Sequence, residues 1–220
     1  MAKSFLDPAE TEFFEDLQIN LARRKRPFPK KVSRICAVDA AYSGDRVVAV
    51  ASLFDAGRLA EVGTYAGTCS LPYVSGLFYL REGPFVVQAV RGLRIRPQLL
   101  CFDAHGGAHP RRAGLATTCG MVLGIPSIGC AKSLLAGTVV PSSGRLDKIV
   151  YKGRTVGFIT HVNGVNRYWS AGYSVSLRKL ESLVIKYAHV FLRALSESDH
   201  SAREGIRAVT SLQSPLESRK

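Results

Sequence analysis

Negative charge is scarce in this chain. Among 220 residues, 17 acids stand against 30 lysines and arginines, for a formal net charge of +13 and a pI near 9.9. That imbalance favours a polyanionic partner, DNA or RNA; the alternative is a basic surface with no such partner. Cys-x-x-Cys pairs are absent, and the five cysteines are an odd number. Neither a disulfide framework nor a zinc ribbon is supported. No apolar stretch is long enough to span a bilayer. Residues 1–7 carry no signal-peptide core. The expectation is a cytoplasmic or nucleoid protein, monomeric, with no membrane partner. Internal repeats and low-complexity segments are missing too. With 46% hydrophobic residues, residues 1–220 suit one domain with a real core.

The pattern of apolar residues predicts a mixed α/β sheet flanked by helices. Asp7-Pro8 marks a helix start, acidic early and basic late, over 8–24. Strands are predicted over 32–38, 47–54 and 59–65 as an antiparallel meander joined by short links. Pro84 opens a helix running to about 93. An apolar strand over 98–102 follows it, which implies a crossover and parallel pairing. A helix over 112–123 leads to a strand over 126–130. Further strands fill 148–170, with turns at Lys152-Gly153 and Asn163-Gly164. Ser176 caps a helix to about 195, and a short separate helix covers 202–212. The tail from 214 to 220 is expected to fray.

Because acids are few, their placement carries weight. Asp39 follows the apolar run Ile35-Cys36-Ala37-Val38, and Asp103 follows Leu99-Leu100-Cys101-Phe102. A carboxylate at the end of a buried strand is costly unless paired. Asp39 and Asp103 at the ends of neighbouring strands can share a Mg²⁺ ion, with Mn²⁺ as a substitute. Such an ion polarises a phosphoryl oxygen and activates water. Either acid alone also suits a turn cap. Glu82, in Arg81-Glu82-Gly83-Pro84, suits a first-turn acid or a third metal ligand. Lys132 follows another short strand and suits either a scissile phosphate or bulk solvent. His105 and His109 are four apart, but Gly106-Gly107 and Pro110 argue against a helix and hence against a zinc pair. The glycines offer close backbone approach and free amides for a base edge; either histidine also suits a structural hydrogen bond. Tyr73, in Leu71-Pro72-Tyr73-Val74-Ser75-Gly76, is an aromatic wedge for a base stack or a core tyrosine.

Taken together, five ordered segments resemble the endonuclease V family, the deoxyinosine 3′ endonucleases. They are Val38-Asp39-Ala40-Ala41-Tyr42, Pro72-Tyr73-Val74-Ser75-Gly76, Tyr79-Leu80-Arg81-Glu82-Gly83-Pro84, the run from Asp103 through Ala108-His109-Pro110-Arg111-Arg112 to Gly114, and Ile125-Pro126-Ser127-Ile128-Gly129-Cys130-Ala131-Lys132-Ser133. The resemblance implies an RNase H-like fold and Mg²⁺-dependent hydrolysis of the second phosphodiester 3′ to a deaminated base, chiefly hypoxanthine. The implied substrate is DNA, with inosine-containing RNA left open. By position, Asp39, Glu82 and Asp103 would hold metal and Lys132 would contact the phosphate. Tyr73 would be the wedge, and Gly76, Ala104, His109, Gly114 and Leu135 would line the pocket for the flipped base.

The chain departs from the family pattern at four places. Ser75 stands where a second proline is usual, Ala104 where glycine is usual, and Tyr173 where histidine is usual. The usual C-terminal motif ends in histidine or aspartate and completes the metal site. Its nearest match here, Glu204-Gly205-Ile206-Arg207-Ala208-Val209-Thr210, ends in a residue with neither group. His189 or Asp199 can substitute in space. Two other readings therefore stay open: a weakly active or inactive inosine-binding module, and an RNase H-like nuclease without lesion choice.

Overall fold

A computed structural model of the chain describes residues 27–211, apart from 70 and 163. The predicted helix over 8–24 and the tail over 214–220 lie outside the described residues. The described chain forms nine strands and three helices. The strands are β1 (Arg34–Ser43), β2 (Arg46–Asp55), β3 (Arg58–Thr68), β4 (Leu99–Phe102), β5 (Ser127–Ala131), β6 (Thr138–Val140), β7 (Asp147–Tyr151), β8 (Arg154–Val162) and β9 (Val165–Ala171). The helices are α1 (Phe78–Arg91), α2 (Leu115–Leu123) and α3 (Leu177–Ser211). No helix of the described residues is long and apolar enough to cross a membrane.

One sheet holds all nine strands, in the order β3-β2-β1-β4-β5-β9-β8-β7-β6. The first three form the expected antiparallel meander. At the β2–β3 turn, Ala56 and Gly57 both have positive φ, as a two-residue hairpin matched to strand twist requires. Two crossovers then set β4 parallel to β1 and β5 parallel to β4, and the remaining strands return to antiparallel pairing.

The alternation of side chains assigns each strand residue to a layer. Cys36 and Val38 of β1, with Leu100 and Phe102 of β4, pack against α1 and α2. Ile35, Ala37, Leu99 and Cys101 pack on the opposite face, against Phe191, Ala194 and Leu195 of α3. Because both faces are covered, these strands read in the sequence as unbroken apolar runs.

Several predicted boundaries shift. β1 does not stop at 38 but continues to Ser43, because β2 offers it partners along that whole length, with Asp39 opposite Val50. What ends beside Asp39 is the parallel ladder to β4, whose last pair is Val38 with Phe102. α1 starts at Phe78, so Pro84 lies inside it rather than at its start, and Glu82 falls in its second turn. Burial of Leu77, Tyr79 and Glu82 on the sheet side holds that first turn despite the ladder bond that proline removes. α2 begins at Leu115 rather than 112, because Arg112 has a positive φ of 57°. The two expected C-terminal helices are one 35-residue helix. It is capped as expected, with Lys179 N donating to Ser176 Oγ at 3.2 Å. The short edge strand β6 gave no sequence signal, being three exposed residues.

Candidate active site

Asp39 lies one residue beyond the β1–β4 ladder, and Asp103 one residue beyond β4. The Asp103 amide still donates to the Val38 carbonyl at 3.2 Å, which fixes the two acids side by side. Asp39 continues the side of β1 shared by Ile35 and Ala37, the side that faces α3. There Ser198 of α3 is fully buried and donates its hydroxyl to the Ala37 carbonyl at 3.1 Å. That bond sets the helix along the strand and brings the next residue, Asp199, to the acids. One carboxylate oxygen each from Asp39, Asp103 and Asp199 lie within 4.8 Å of one another.

Three carboxylates this close repel each other unless cations intervene. Lys132, just past β5, supplies one positive charge. Its Nζ pairs with Asp103 Oδ2 and lies 3.9 Å from Asp199 Oδ1. Burial opposes its charge, but Asp103 outweighs that and raises its pKa. Arg203 of α3 supplies a second, pairing with Asp199 at 2.9 Å, and two cations still fall short of the three carboxylates. Burial, then the charge of Asp103, push the Asp39 carboxyl up to about 7, although Asp39 Oδ1 accepts a 2.9 Å hydrogen bond from the Ala40 amide. The donor set is hard, all oxygen and short of cation, and it can hold a divalent metal ion.

Glu82 approaches from α1, on the other face of the sheet. It is 5% exposed, and burial, then Asp39 and Asp103, hold its carboxyl well above the usual range. It lies outside the 4.8 Å grouping but lines the same cleft. A carboxyl kept protonated by burial stabilises the fold below its folded pKa. For Asp39 the ordinary value is 3.8 and the folded value about 7. Between them the folded chain holds a proton that the unfolded chain has released, so stability is full below about pH 4 and declines as pH rises through 7. In EDTA the melting temperature should therefore fall between pH 5 and pH 8. Added Mg²⁺ should raise it more at pH 8, by about 5 °C, because protons no longer compete for the ligands. Thermal unfolding at both pH values, with and without the ion, checks this.

The cleft has a volume of about 690 Å³. It brings together Asp39, Glu82, Asp103 and Lys132 with Tyr73, Gly76, Ala104, His109, Gly114 and Leu135, so the residues that the resemblance assigns to metal, phosphate, wedge and base pocket face one space. Tyr73 is not a core residue. It is 63% exposed, and its ring leans on Phe78 with centroids 5.7 Å apart.

His109 is spent on structure. It is buried; its Nε2 lies 3.1 Å from the Gly76 carbonyl, and its Nδ1 accepts from the Arg111 amide at 3.2 Å. Nε2 is therefore the protonated nitrogen. Burial, with Arg111 nearby, lowers its pKa to about 4, so the ring is neutral and ties the Tyr73–Gly76 loop to the wall. Arg111 adds a second donor to the Gly76 carbonyl at 2.7 Å. Burial lowers the pKa of His105 too, partly offset by a hydrogen bond to the Ser133 backbone.

The expected free amides of Gly106 and Gly107 are not free. Gly106 N donates to Ser170 Oγ at 2.8 Å and Gly107 N to the Ala171 carbonyl at 2.6 Å. The glycines let the end of β9 approach, rather than a base: a Cβ at Gly106 would lie 2.6 Å from the Ala171 oxygen. Tyr173 is buried and bonds Ser127 at the start of β5, the opposite end of that strand from Lys132. Its departure from the family pattern lies away from the cleft. Thr210 bonds back to the Ile206 carbonyl at 2.7 Å, eleven residues along α3 from Asp199. At about 1.5 Å per residue it is some three turns from the cluster. The acid that completes the group is Asp199, and only the position of the helix against β1 reveals it.

The family model described as Endonuclease V matches residues 16–192. An endonuclease V of Geotalea uraniireducens is 38% identical over 170 residues, covering 74% of this chain and 73% of the relative. One from Dictyoglomus turgidum is 35% identical over 164 residues, covering 71% and 72%. Among solved structures, endonuclease V from Streptomyces avermitilis superposes with a TM-score of 0.81 at 28% identity, covering 96% of this chain and 97% of that one. The same fold is seen at 20% identity and a TM-score of 0.77 in Ciona intestinalis endonuclease V in complex with a 24mer DNA containing an inosine followed by a ribo-adenosine, with 91% and 99% covered.

Proposed function

The chain belongs to the endonuclease V family and is an endonuclease, and from that premise we propose that it hydrolyses the second phosphodiester bond 3′ to hypoxanthine in DNA, as a step in nucleic-acid repair. Asp39, Asp103 and Asp199 would hold a Mg²⁺ ion, which Mn²⁺ could replace, and Glu82 would add a carboxylate from the α1 side. Bound there, the ion would supply Lewis-acid polarisation of the phosphoryl group and would bring the pKa of its bound water down towards neutrality.

The chain's own groups do the rest. Lys132 is held by Asp103 at the edge of the cluster, where its charge offsets that of the scissile phosphate. Tyr73 stands exposed on Phe78 and fills the gap left in the base stack, which lowers the cost of extruding the target base. Gly76, Ala104, Gly114 and Leu135 shape the recess that receives it. His109 keeps that recess fixed by its bond to Gly76 rather than by reading the base through its ring. The net charge of +13 draws the phosphate backbone to the cleft.

The observation that carries this reading is the single cleft holding acids, lysine, wedge and recess together. The inactive-module reading drew on Thr210 as the missing ligand; Asp199 at the cluster removes that motive. Labelled single strands with one hypoxanthine, the same strand with adenine, and an inosine-containing RNA separate the remaining readings. Mg²⁺-dependent nicking confined to the hypoxanthine strands is expected. No nick in either Mg²⁺ or Mn²⁺ would sink the proposal, and equal nicking of the adenine strand would favour a lesion-blind nuclease.

A further inference from the structure

A second groove, of about 300 Å³, opens on the α3 side of the acidic cluster. Asp103 and Lys132 line both it and the main cleft, so the two form one track that crosses the acids. Beyond them the second groove is lined by Arg167 and Val165 of β9 and by Leu192 and Leu195 of α3. The β5–β9 register pairs Ala131 with Tyr168. Continued by one residue, it sets Arg167 beside Lys132. Arg167 is on the α3 face, as Trp169 two residues on packs there against Phe191.

Among the described residues, the one hydrogen bond of the Arg167 guanidinium is a long one, to the Asn166 carbonyl at 3.4 Å. No carboxylate pairs with it there. Yet it stands on the same track as three acids, and its planar fork matches a phosphate. Val165 is 48% exposed and, with the two leucines, offers an apolar wall beside that cation. A cation next to an apolar wall suits a nucleotide, with its phosphate on one and its sugar or base on the other.

We propose that this groove binds the nucleic acid strand on the 3′ side of the cut, with Arg167 holding the phosphate that follows the second nucleotide 3′ to the lesion. The inference rests on the reading above. If the extruded base sits between Tyr73 and Gly114 and the cut is made at the acids, the strand 3′ of the cut must leave on the side away from that recess. The groove is what lies there. It gives the leaving strand a hold of its own, distinct from recognition of the base.

The test uses the full chain and two labelled hypoxanthine strands. One ends at the second nucleotide 3′ to the lesion, and the other runs six nucleotides further. Affinity is measured by anisotropy in metal-free buffer over a range of salt, and nicking is measured separately in Mg²⁺. Wild type should bind the longer strand about fivefold more tightly. Arg167→Ala should abolish that advantage, and Arg167→Lys should restore part of it. On the longer strand, the slope of log affinity against log salt should be shallower by about 0.7 in Arg167→Ala, the change expected for one lost single-strand phosphate. Nicking of the short strand should be the same in wild type and Arg167→Ala. Equal loss of affinity for both strands in the variant, or no gain from the extension in wild type, would overturn the groove's role while wild-type nicking stands. Failure of wild type to nick either strand would instead overturn the lesion reading.

Discussion

Asp199→Ala is expected to lower nicking of a hypoxanthine strand by about 100-fold or more at low millimolar Mg²⁺, whereas Thr210→Ala changes it by less than about twofold. Thr210 is where the nearest match to the family's C-terminal motif ends, and Asp199 is the acid that α3 brings to the cluster; they differ in where that helix carries them. Asp199 follows Ser198, whose hydroxyl bonds the Ala37 carbonyl, and its carboxylate lies within 4.8 Å of those of Asp39 and Asp103. Thr210 spends its hydroxyl on the preceding turn of its own helix. Single-turnover nicking across a Mg²⁺ series checks the contrast. Asp199→Ala should need more Mg²⁺ for half-maximal rate, since it removes a ligand and a negative charge. Removing Asp199 also frees Arg203, which pairs with it along the helix at 2.9 Å. That exposed pair contributes little to stability, so the variant should stay folded. Equal losses in both variants would show that α3 sits differently against β1.

Gly129→Ala should cost about 3 kcal/mol of stability and remove most of the activity with it. Gly129 is in β5, paired to Phe102 of β4 and Ser170 of β9. The turn that follows β4 folds back over it. A Cβ there would lie 2.2 Å from the Ala104 carbonyl oxygen and 2.6 Å from the Gly106 amide nitrogen. Both are backbone atoms in a turn fixed by its bonds to Ser170 and Ala171, so no rotamer change relieves the clash. The turn must lift, and it carries Asp103 and Ala104 with it. For a chain of this size the melting temperature should drop by about 6–12 °C. Gly144→Ala is the control. Its Cβ would meet only Ser142 Oγ at 3.4 Å, and the change should stay within about 0.5 kcal/mol. Full stability in Gly129→Ala would mean that the turn does not press on β5.

Both outcomes bear on what was legible beforehand. The runs before Asp39 and Asp103 announced buried strands, and the helical segment between them implied the parallel pairing that sets the two acids together. The proline-glycine bracket announced Tyr73 as a loop residue. Its surface position, and the convergence of Gly76, Ala104, His109, Gly114 and Leu135 on one cleft, matched the order of the family's motifs. The glycines at 106 and 107 misled, because a glycine marks close approach without saying what approaches; here it is β9. Pro84 misled because its preference for the first turn was outweighed by burial of the turn before it.

The sequence by itself determined the two acids at the strand ends, the proline-glycine loop that carries Tyr73 and the basic balance, since each is set by neighbours within a few residues. The tertiary structure alone decided the third carboxylate of the cluster. The family match ends at residue 192, short of Asp199, and nothing local marks that aspartate among the polar residues of a long helix. What selects it is the docking of α3 on β1 and β2. Ala194, Ser198, Ala202 and Gly205 let the helix lie close to the sheet, with Gly205 directly over Val48, and the Ser198 bond sets its position along the strand. A shift of one residue along that helix turns it by about 100° and would carry Asp199 away from the cluster. Two strands and a helix that carries Asp199, 96 residues beyond Asp103 in the chain, must therefore pack before the site exists.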